Sequence, residues 1–399
     1  MKLRTLHDLD PKGKKILLRV DFNVPTDDDG NVTDATRIRE AVPTIKYLVE
    51  RGARVIIMSH MGRPKGKVTD DLRLDKVAQK LVQVIKMPVK KVHECIGEGV
   101  KYMVNSMKDG EILMLENTRF YHGEELNNRE FTKQIAELGD VFVSDAFGTV
   151  HRAHATTVGL ADFLPAYAGL LLEREIKVLS SLLKAPKKPV VMIMGGAKID
   201  TKIGVLKNFI GKADAFLIGG GLANTFLNAA GHNVGKSLCE FDKAEIAREI
   251  MLLAEENKEK FILPSDCIVA SEPSEVAETA HVPVHDVEGD MKILDIGEKS
   301  IERFCEIIKT AGTVIWNGPI GLYEYSPFEK GTYKIAEAVA NCKGITILGG
   351  GDTIDAIGKF GISKEQFTHI STGGGAMLEF LEGKELPGIK ILKKQLGKK

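Results

Sequence analysis

Short apolar runs that end abruptly in a polar or glycine-rich turn recur along the chain and most constrain its fold. ILLRVDFN begins at Ile16, VIIMSH at Val55, ILMLEN at Ile112 and VFVSDAFG at Val141. Each is of strand length, and each is nearly continuous in its apolar residues, as in parallel strands covered by helices on both faces. Between them lie amphipathic stretches. Ile38, Val42, Ile45, Leu48 and Val49 fall on one stripe of a helix. Alternating strand and helix predicts a doubly wound sheet.

The same grammar restarts after a helical stretch carrying Leu171, Ile176, Leu179 and Leu183, which APKKP ends. The later runs are VVMIMGGAK from Val190, FLIGGG from Phe216, FILPSD from Phe261, TVIWNGP from Thr313 and ITILGGGD from Ile345. A chain of 399 residues exceeds what one core usually supports. The expected fold is α/β, with two doubly wound parallel-sheet, Rossmann-like domains joined by a connecting helix. The expected boundaries are 1–166, 167–184 for the helix and 185–370, with 371–399 as a final segment. Its KKQLGKK end reads as a solvated tail.

Composition excludes several partners. Lys+Arg and Asp+Glu both number 55, so no net field draws the chain onto nucleic acid or anionic lipid. No apolar run reaches membrane-spanning length, and the N-terminus lacks the apolar core of a signal peptide. The five cysteines are scattered and never form C-x-x-C, which argues against disulfides or zinc and favours a cytoplasmic location. Each half closes its own core, so a monomer is expected.

In open parallel sheets, ligands bind beyond the carboxyl ends of the strands. In the first half those positions carry Asp21, Asn23, His60, Arg63, Arg119, His151 and Arg152, with Arg37 opening the first helix. Guanidinium groups bind phosphate and carboxylate oxygens in pairs, so their convergence predicts a pocket for a phosphorylated acid. In the second half the ends are glycine-rich: Gly195-Gly196, Gly219 to Gly221, Asn317-Gly318-Pro319, Gly349 to Gly351, and Gly373 to Gly375. Glycine lets backbone amides approach phosphates, which predicts a nucleotide cradle. Lys198 and Lys202 would share a face if their segment is helical, and Asp352 suits Mg2+, which needs only one or two protein carboxylates beside a nucleotide.

Three patterns read as decoys. AGHNVGKS ends like a Walker A loop, but Gly231 stands one residue too close to the Gly235-Lys236-Ser237 ending. GGGLAN has Asn224 where a dinucleotide fingerprint needs Gly or Ala. His151 and His154 lack a third metal ligand nearby.

Taken together, RVDFNVP at Arg19, SHMGRP at Ser59, LENTRF at Leu115, DAFGTVHR at Asp145, GGAKIDTK at Gly195, GGGLANTFL at Gly219, WNGPIGLYE at Trp316, GGGDT at Gly349 and STGGGAMLEFLEGKELPGI at Ser371 resemble the phosphoglycerate kinase family from about Arg19 to Ile389. The resemblance implies reversible, Mg2+-dependent phosphoryl transfer between 1,3-bisphosphoglycerate with ADP and 3-phosphoglycerate with ATP, in glycolysis and gluconeogenesis. Asp21, Asn23, Arg37, His60, Arg63, Arg119 and Arg152 would bind the acid, with Arg37 nearest the transferred group. Lys198, Lys202, Gly219, Gly220, Asn317, Glu324, Gly350, Gly351, Asp352 and Thr353 would bind nucleotide, with Asp352 on Mg2+ and Glu324 at the ribose. The segment after Gly375 would return to the first domain.

The acceptor would be a carboxylate, already ionised, so no general base is needed. Arg37, Lys202 and the amides of Gly373, Gly374 and Gly375 would offset transition-state charge, and hinge closure would bring the ligands together. Gly289-Asp290-Met291 and Thr118 depart from the commoner family pattern. The alternatives at this stage are another acyl-phosphate-forming kinase of a small acid, or a two-lobed binding protein without chemistry.

Overall fold

The computed structural model describes residues 3–257 and 260–394. It divides into two compact units, the first holding residues up to Ser180 and those from Glu385 on, the second Ser181–Lys384.

The first unit contains a six-stranded parallel sheet: β1 Lys15–Val20, β2 Arg54–Met58, β3 Lys90–Lys91, β4 Ile112–Met114, β5 Val141–Asp145 and β6 Ala166–Ala168, in the order β3-β4-β2-β1-β5-β6. Leu17 pairs with Ile56 on one side and Phe142 on the other. All three are fully buried, as continuous apolar runs require of a sheet covered on both faces. Helix Thr36–Glu50 buries Ile38, Ile45, Leu48 and Val49 of the expected stripe, with Val42 half-buried, against Ile16, Leu18 and Val20. Each such side chain contributes about 1.5–3 kcal/mol on burial. The chain leaves β1 toward β2 and returns to β5 on its other side, so the switch point lies at the β1 and β5 ends.

The second unit repeats the plan with β7 Val190–Met194, β8 Ala215–Ile218, β9 Lys260–Ile262, β10 Asp266–Ala270, β11 Ala280–Pro283, β12 Lys292–Ile296, β13 Thr313–Asn317, β14 Ile345–Gly349 and β15 His369–Ile370. Its parallel sheet runs β15-β14-β13-β7-β8-β9, with the switch point between β7 and β13. Val191, Ile193, Val314 and Trp316 share a core with Ile335 and Val339. Strands β10, β11 and β12 form a separate antiparallel sheet of order β11-β10-β12, which the apolar runs do not announce.

The connecting helix runs Leu170–Lys184. The stretch 167–169, read with it from the sequence, is instead the end of β6 and a glycine: Tyr167 pairs with Val143, and the helix opens where Thr44 Oγ1 accepts the Leu170 amide at 3.0 Å and Asp145 Oδ1 the Leu172 amide at 3.1 Å. Residues 371–384 stay in the second unit. Helix Pro387–Lys394 belongs to the first, where the Gly388 amide donates to Val150 O at 2.8 Å. Most of the KKQLGKK tail lies outside the described residues. All five cysteines are free, and among the described residues no helix is long and apolar enough to cross a membrane.

Candidate functional site

In the first unit the loops beyond the strands interlock through side chains. Arg37, in the first turn of its helix, donates from Nη1 to Asp21 Oδ2 at 2.8 Å and to Asn23 O at 3.1 Å. Asn23 Oδ1 accepts the Gly62 amide at 2.9 Å, and Arg119 Nη1 donates to Gly62 O at 2.6 Å. His60 Nδ1 lies 3.9 Å from Asp21 Oδ1. The structure therefore gathers Asp21, Asn23, Arg37, His60 and Arg119 into one network. Arg152 meets it through charge, and its Nε lies 3.2 Å from His151 Nε2. Arg63 is exposed and has no partner among the described residues.

The electrostatics favour an anion. Burial, then the charge of Arg152, lowers the Arg119 guanidinium to about 10. Burial followed by Arg19, Arg119, Arg152 and Arg37 holds His60 well below the ordinary histidine range, and burial with Arg119 next brings His154 to about 4. These histidines are neutral at pH 7 while the arginines repel one another, so an anion placed among them would be welcomed. Arg119 Nη2 and His151 Nδ1 are buried without a hydrogen-bond partner, polar groups that a ligand's oxygens would satisfy.

One member escapes a reading of strand ends because it lies inside a strand. Arg19, in β1, is 1% exposed. Its Nε donates to Thr156 Oγ1 at 2.8 Å, and that hydroxyl donates to Glu124 Oε1 at 2.6 Å. Arg19 Nη2 lies 3.1 Å from His60 Nδ1. A guanidinium only donates, so Nδ1 must accept and the His60 proton sits on Nε2. The available signal was a lone cation within the apolar run ILLRV.

In the second unit, backbone replaces side chains. At the switch point the Gly195 amide donates to Asn317 O at 3.0 Å and the Gly196 amide to Pro319 O at 2.8 Å. A Cβ on Gly195 would lie 2.0 Å from Pro319 O, so glycine is required by close approach. The Gly219 and Gly220 amides are also committed, to Met194 O and Ile320 O. These glycines therefore shape the floor, and their amides do not serve as the phosphate donors expected of them. The amides of Gly350, Gly351, Asp352 and Thr353, at the start of helix Gly351–Lys359, have no intrachain acceptor among the described residues; nor do those of Gly374 and Gly375. The Gly373 amide donates to Ser371 Oγ at 3.1 Å.

Lys202 is 7% exposed, and its Nζ donates to Asn317 Oδ1 at 2.7 Å. Burial lowers it to about 8 against the opposing charge of Asp352. Asn317 Nδ2 donates to Gly349 O, and Thr353 Oγ1 accepts the Gly318 amide, both at 2.8 Å. Lys198 is exposed, and the two lysines do not share a helical face because the helix starts only at Ile203. A cavity of about 190 Å³, lined by Gly196, Gly220, Leu238, Leu322, Glu324 and Asp352 among others, opens beside these groups. Glu324 and Asp352 are exposed, and the Asp352 carboxylate has no hydrogen bond or ion pair among the described residues.

The decoys find structural explanations. Gly235 has φ +55° and a Cβ there would meet Met291 O at 2.3 Å. The Lys236 amide donates to Met291 O at 2.8 Å, Lys236 Nζ lies 2.6 Å from Asp290, and Ser237 Oγ accepts the Ile293 amide. The Walker-like stretch is thus the dock for the Gly289-Asp290-Met291 departure. Thr118 is buried with its hydroxyl unpartnered.

Comparison with known proteins agrees over almost the whole chain. A family model described as phosphoglycerate kinase matches residues 6–384. The phosphoglycerate kinase of Dictyoglomus turgidum is 53% identical over 390 residues, 97% of each chain, and that of Pelotomaculum thermopropionicum 49% identical over 392 residues, 98% of this chain and 99% of the relative. Among solved structures, the Coxiella burnetii phosphoglycerate kinase superposes with a TM-score of 0.87 at 40% identity, covering 98% of this chain and 99% of the other. The Pyrococcus horikoshii OT3 enzyme gives 0.88 at 32% identity over the full length of both. With strand-end motifs, fold and relatives in accord, this chain belongs to the phosphoglycerate kinase family of phosphotransferases.

Proposed function

We propose that the protein catalyses reversible phosphoryl transfer between 1,3-bisphosphoglycerate with ADP and 3-phosphoglycerate with ATP, as a glycolytic and gluconeogenic enzyme of the cytoplasm. The observation that carries this reading is the contrast between two sets of strand ends in a chain of this family. One is a neutral-histidine, arginine-rich network with an unpartnered Arg119 Nη2, the other a glycine-floored cavity with free helix-start amides.

In this reading Asp21, Asn23, Arg37, His60, Arg63, Arg119 and Arg152 hold the acid. Asp21 fixes Arg37 so that its remaining guanidinium hydrogens address the reacting carboxylate. His60, its Nδ1 engaged by Arg19, offers Nε2–H as a neutral donor. Lys202, Asn317, Thr353 and the amides of Gly350, Gly351 and Asp352 address the nucleotide phosphates, with Lys198 and Glu324 at the rim and Gly219 and Gly220 beneath the base. Arg37, Lys202 and the amides of Gly374 and Gly375 offset charge on the transferred group, with Gly373 shaping their turn.

Asp352, an exposed carboxylate with no protein partner among the described residues, would hold Mg2+ arriving with its nucleotide, which needs only one or two protein carboxylates. When bound, the ion would neutralise phosphate charge. The acid and nucleotide residues stand in separate units, so transfer requires closure about the connecting helix, which also excludes water. The test is ADP formation from ATP, Mg2+ and 3-phosphoglycerate by the folded protein. Turnover is expected, and its absence in a Mg2+-replete sample would sink the reading.

A further inference from the structure

The His60 imidazole stands at one end of a buried chain of polar groups that begins at Glu124. Glu124 lies in the short helix His122–Glu125 and is fully buried. Its Oε2 accepts the Thr156 amide at 3.0 Å, its Oε1 the Thr156 hydroxyl at 2.6 Å, and its carbonyl oxygen the Ala155 amide at 2.9 Å. Thr156 Oγ1 in turn accepts Arg19 Nε at 2.8 Å, and Arg19 Nη2 donates to His60 Nδ1 at 3.1 Å. The protons have one assignment. A guanidinium only donates, so the Thr156 hydroxyl spends its single proton on Glu124 and keeps a lone pair for Arg19.

Arg19 Nη1 also donates to Val20 O. With Nε and Nη1 both anchored, the planar guanidinium has one orientation, which sets where Nη2 meets the imidazole. Burial disfavours the Arg19 charge, and Glu124 is the first charge that offsets it, ahead of Asp21. An apolar pair of similar volume often serves stability as well as a buried ion pair, but it could not aim a lone pair at Arg19 Nε. Among the described residues Glu124 makes no hydrogen bond or ion pair to any residue assigned to the acid.

We infer that Glu124 is a positioning residue for the acid site, acting through the Thr156 hydroxyl and Arg19 to hold His60 with Nδ1 as acceptor and Nε2–H free for the ligand. This rests on His60 binding the acid. A carboxylate remote from the substrate thereby selects the tautomer that meets it.

The test reads the His60 tautomer from long-range proton–nitrogen NMR spectra of histidine-labelled protein, beside steady-state constants for both substrates. The wild-type protein is expected to show the Nε2–H form. In Thr156→Val, which keeps the shape and removes the hydroxyl, the Nδ1–H form should appear, and KM for 3-phosphoglycerate should rise about tenfold while that for ATP holds. Thr156→Ser should restore both. An Nδ1–H form in the wild-type protein, an unchanged tautomer in Thr156→Val whatever its KM, or a Thr156→Ser no better than the valine would each overturn the inference. If Thr156→Val does not fold, Glu124→Gln, which sets an amide donor against one of the two Thr156 donors, carries the same expectations. The spectra need no turnover, so absence of activity in the wild-type protein would indict the proposed function and leave the positioning role standing or falling on the tautomer.

Discussion

In the proposed function the two units hold a phosphorylated ligand at the ends of parallel strands, with different materials. The first uses charge carried on long side chains. Burial, reinforced by the crowding of its arginines, lowers Arg119 and keeps His60 and His154 neutral. The second uses the backbone, with glycines that permit close approach, amides left free at a helix start, and one buried lysine. Long cations can adapt around a small acid, at the cost of mutual repulsion when the site is empty. Amides fixed at a helix terminus carry no net charge and suit an extended phosphate chain. The difference teaches that an anion site need not be basic in composition, and the balanced charge of the whole chain conceals one strongly cationic site.

The largest expected effects come where both designs commit charge to the transferred group. Arg37→Ala and Lys202→Ala should each lower kcat by roughly 10³-fold, with a far-UV spectrum that remains native. Near-normal turnover in either would break the assignment.

Intermediate effects should separate by ligand. Arg119→Ala removes the guanidinium whose Nη2 is unpartnered and is expected to raise KM for 3-phosphoglycerate by about tenfold or more, leaving the constant for ATP alone. Gly350→Ala should do the reverse, because φ is +98° there and its Cβ would lie 3.0 Å from Asn317 Nδ2. Initial-rate measurements in both substrates check the pair, and crossed effects would show that the two designs are not separable.

The smallest effect distinguishes the materials by pH. Lys202 loses its proton around pH 8 in the free protein, so ATP binding should weaken several-fold between pH 7 and 9. Arg119 titrates near 10, and acid binding should change little over that interval. Titration calorimetry in two buffers should show proton uptake on nucleotide binding near pH 8.5 and little on acid binding. The same lysine sets a stability trend. Its folded value lies below the unfolded one, so the unfolded chain binds the extra proton and stability rises with pH from about 8 to 10.5.

Nine of the twelve described parallel strands were legible because buried strands leave unbroken apolar runs, and the proposed acid-binding residues because those runs stop at a charged or amide side chain. Strands β3, β6 and β15, two or three residues each, were not. Strands β10 to β12 were not read either: β10 is buried but follows β9 after only three residues, β11 and much of β12 are part-exposed, and they pair with one another through turns that carry no comparable signature. Arg19 was hidden for the opposite reason: its partner Thr156 lies 137 positions away, and nothing local shows that a cation within β1 is satisfied. The glycine clusters look alike in one dimension. Which of them present free amides depends on distant carbonyls, such as Pro319 O for Gly196.

The placement of Gly388 against Val150 and Thr157 has a bearing on how the molecule is made. A ribosome delivers this glycine only after the entire second unit, yet it completes the packing of the first. The first unit therefore waits, short of its closing piece, through the synthesis of some two hundred intervening residues. Truncating the chain before Glu385 would strand it in that unfinished state, although every strand of its sheet is already present.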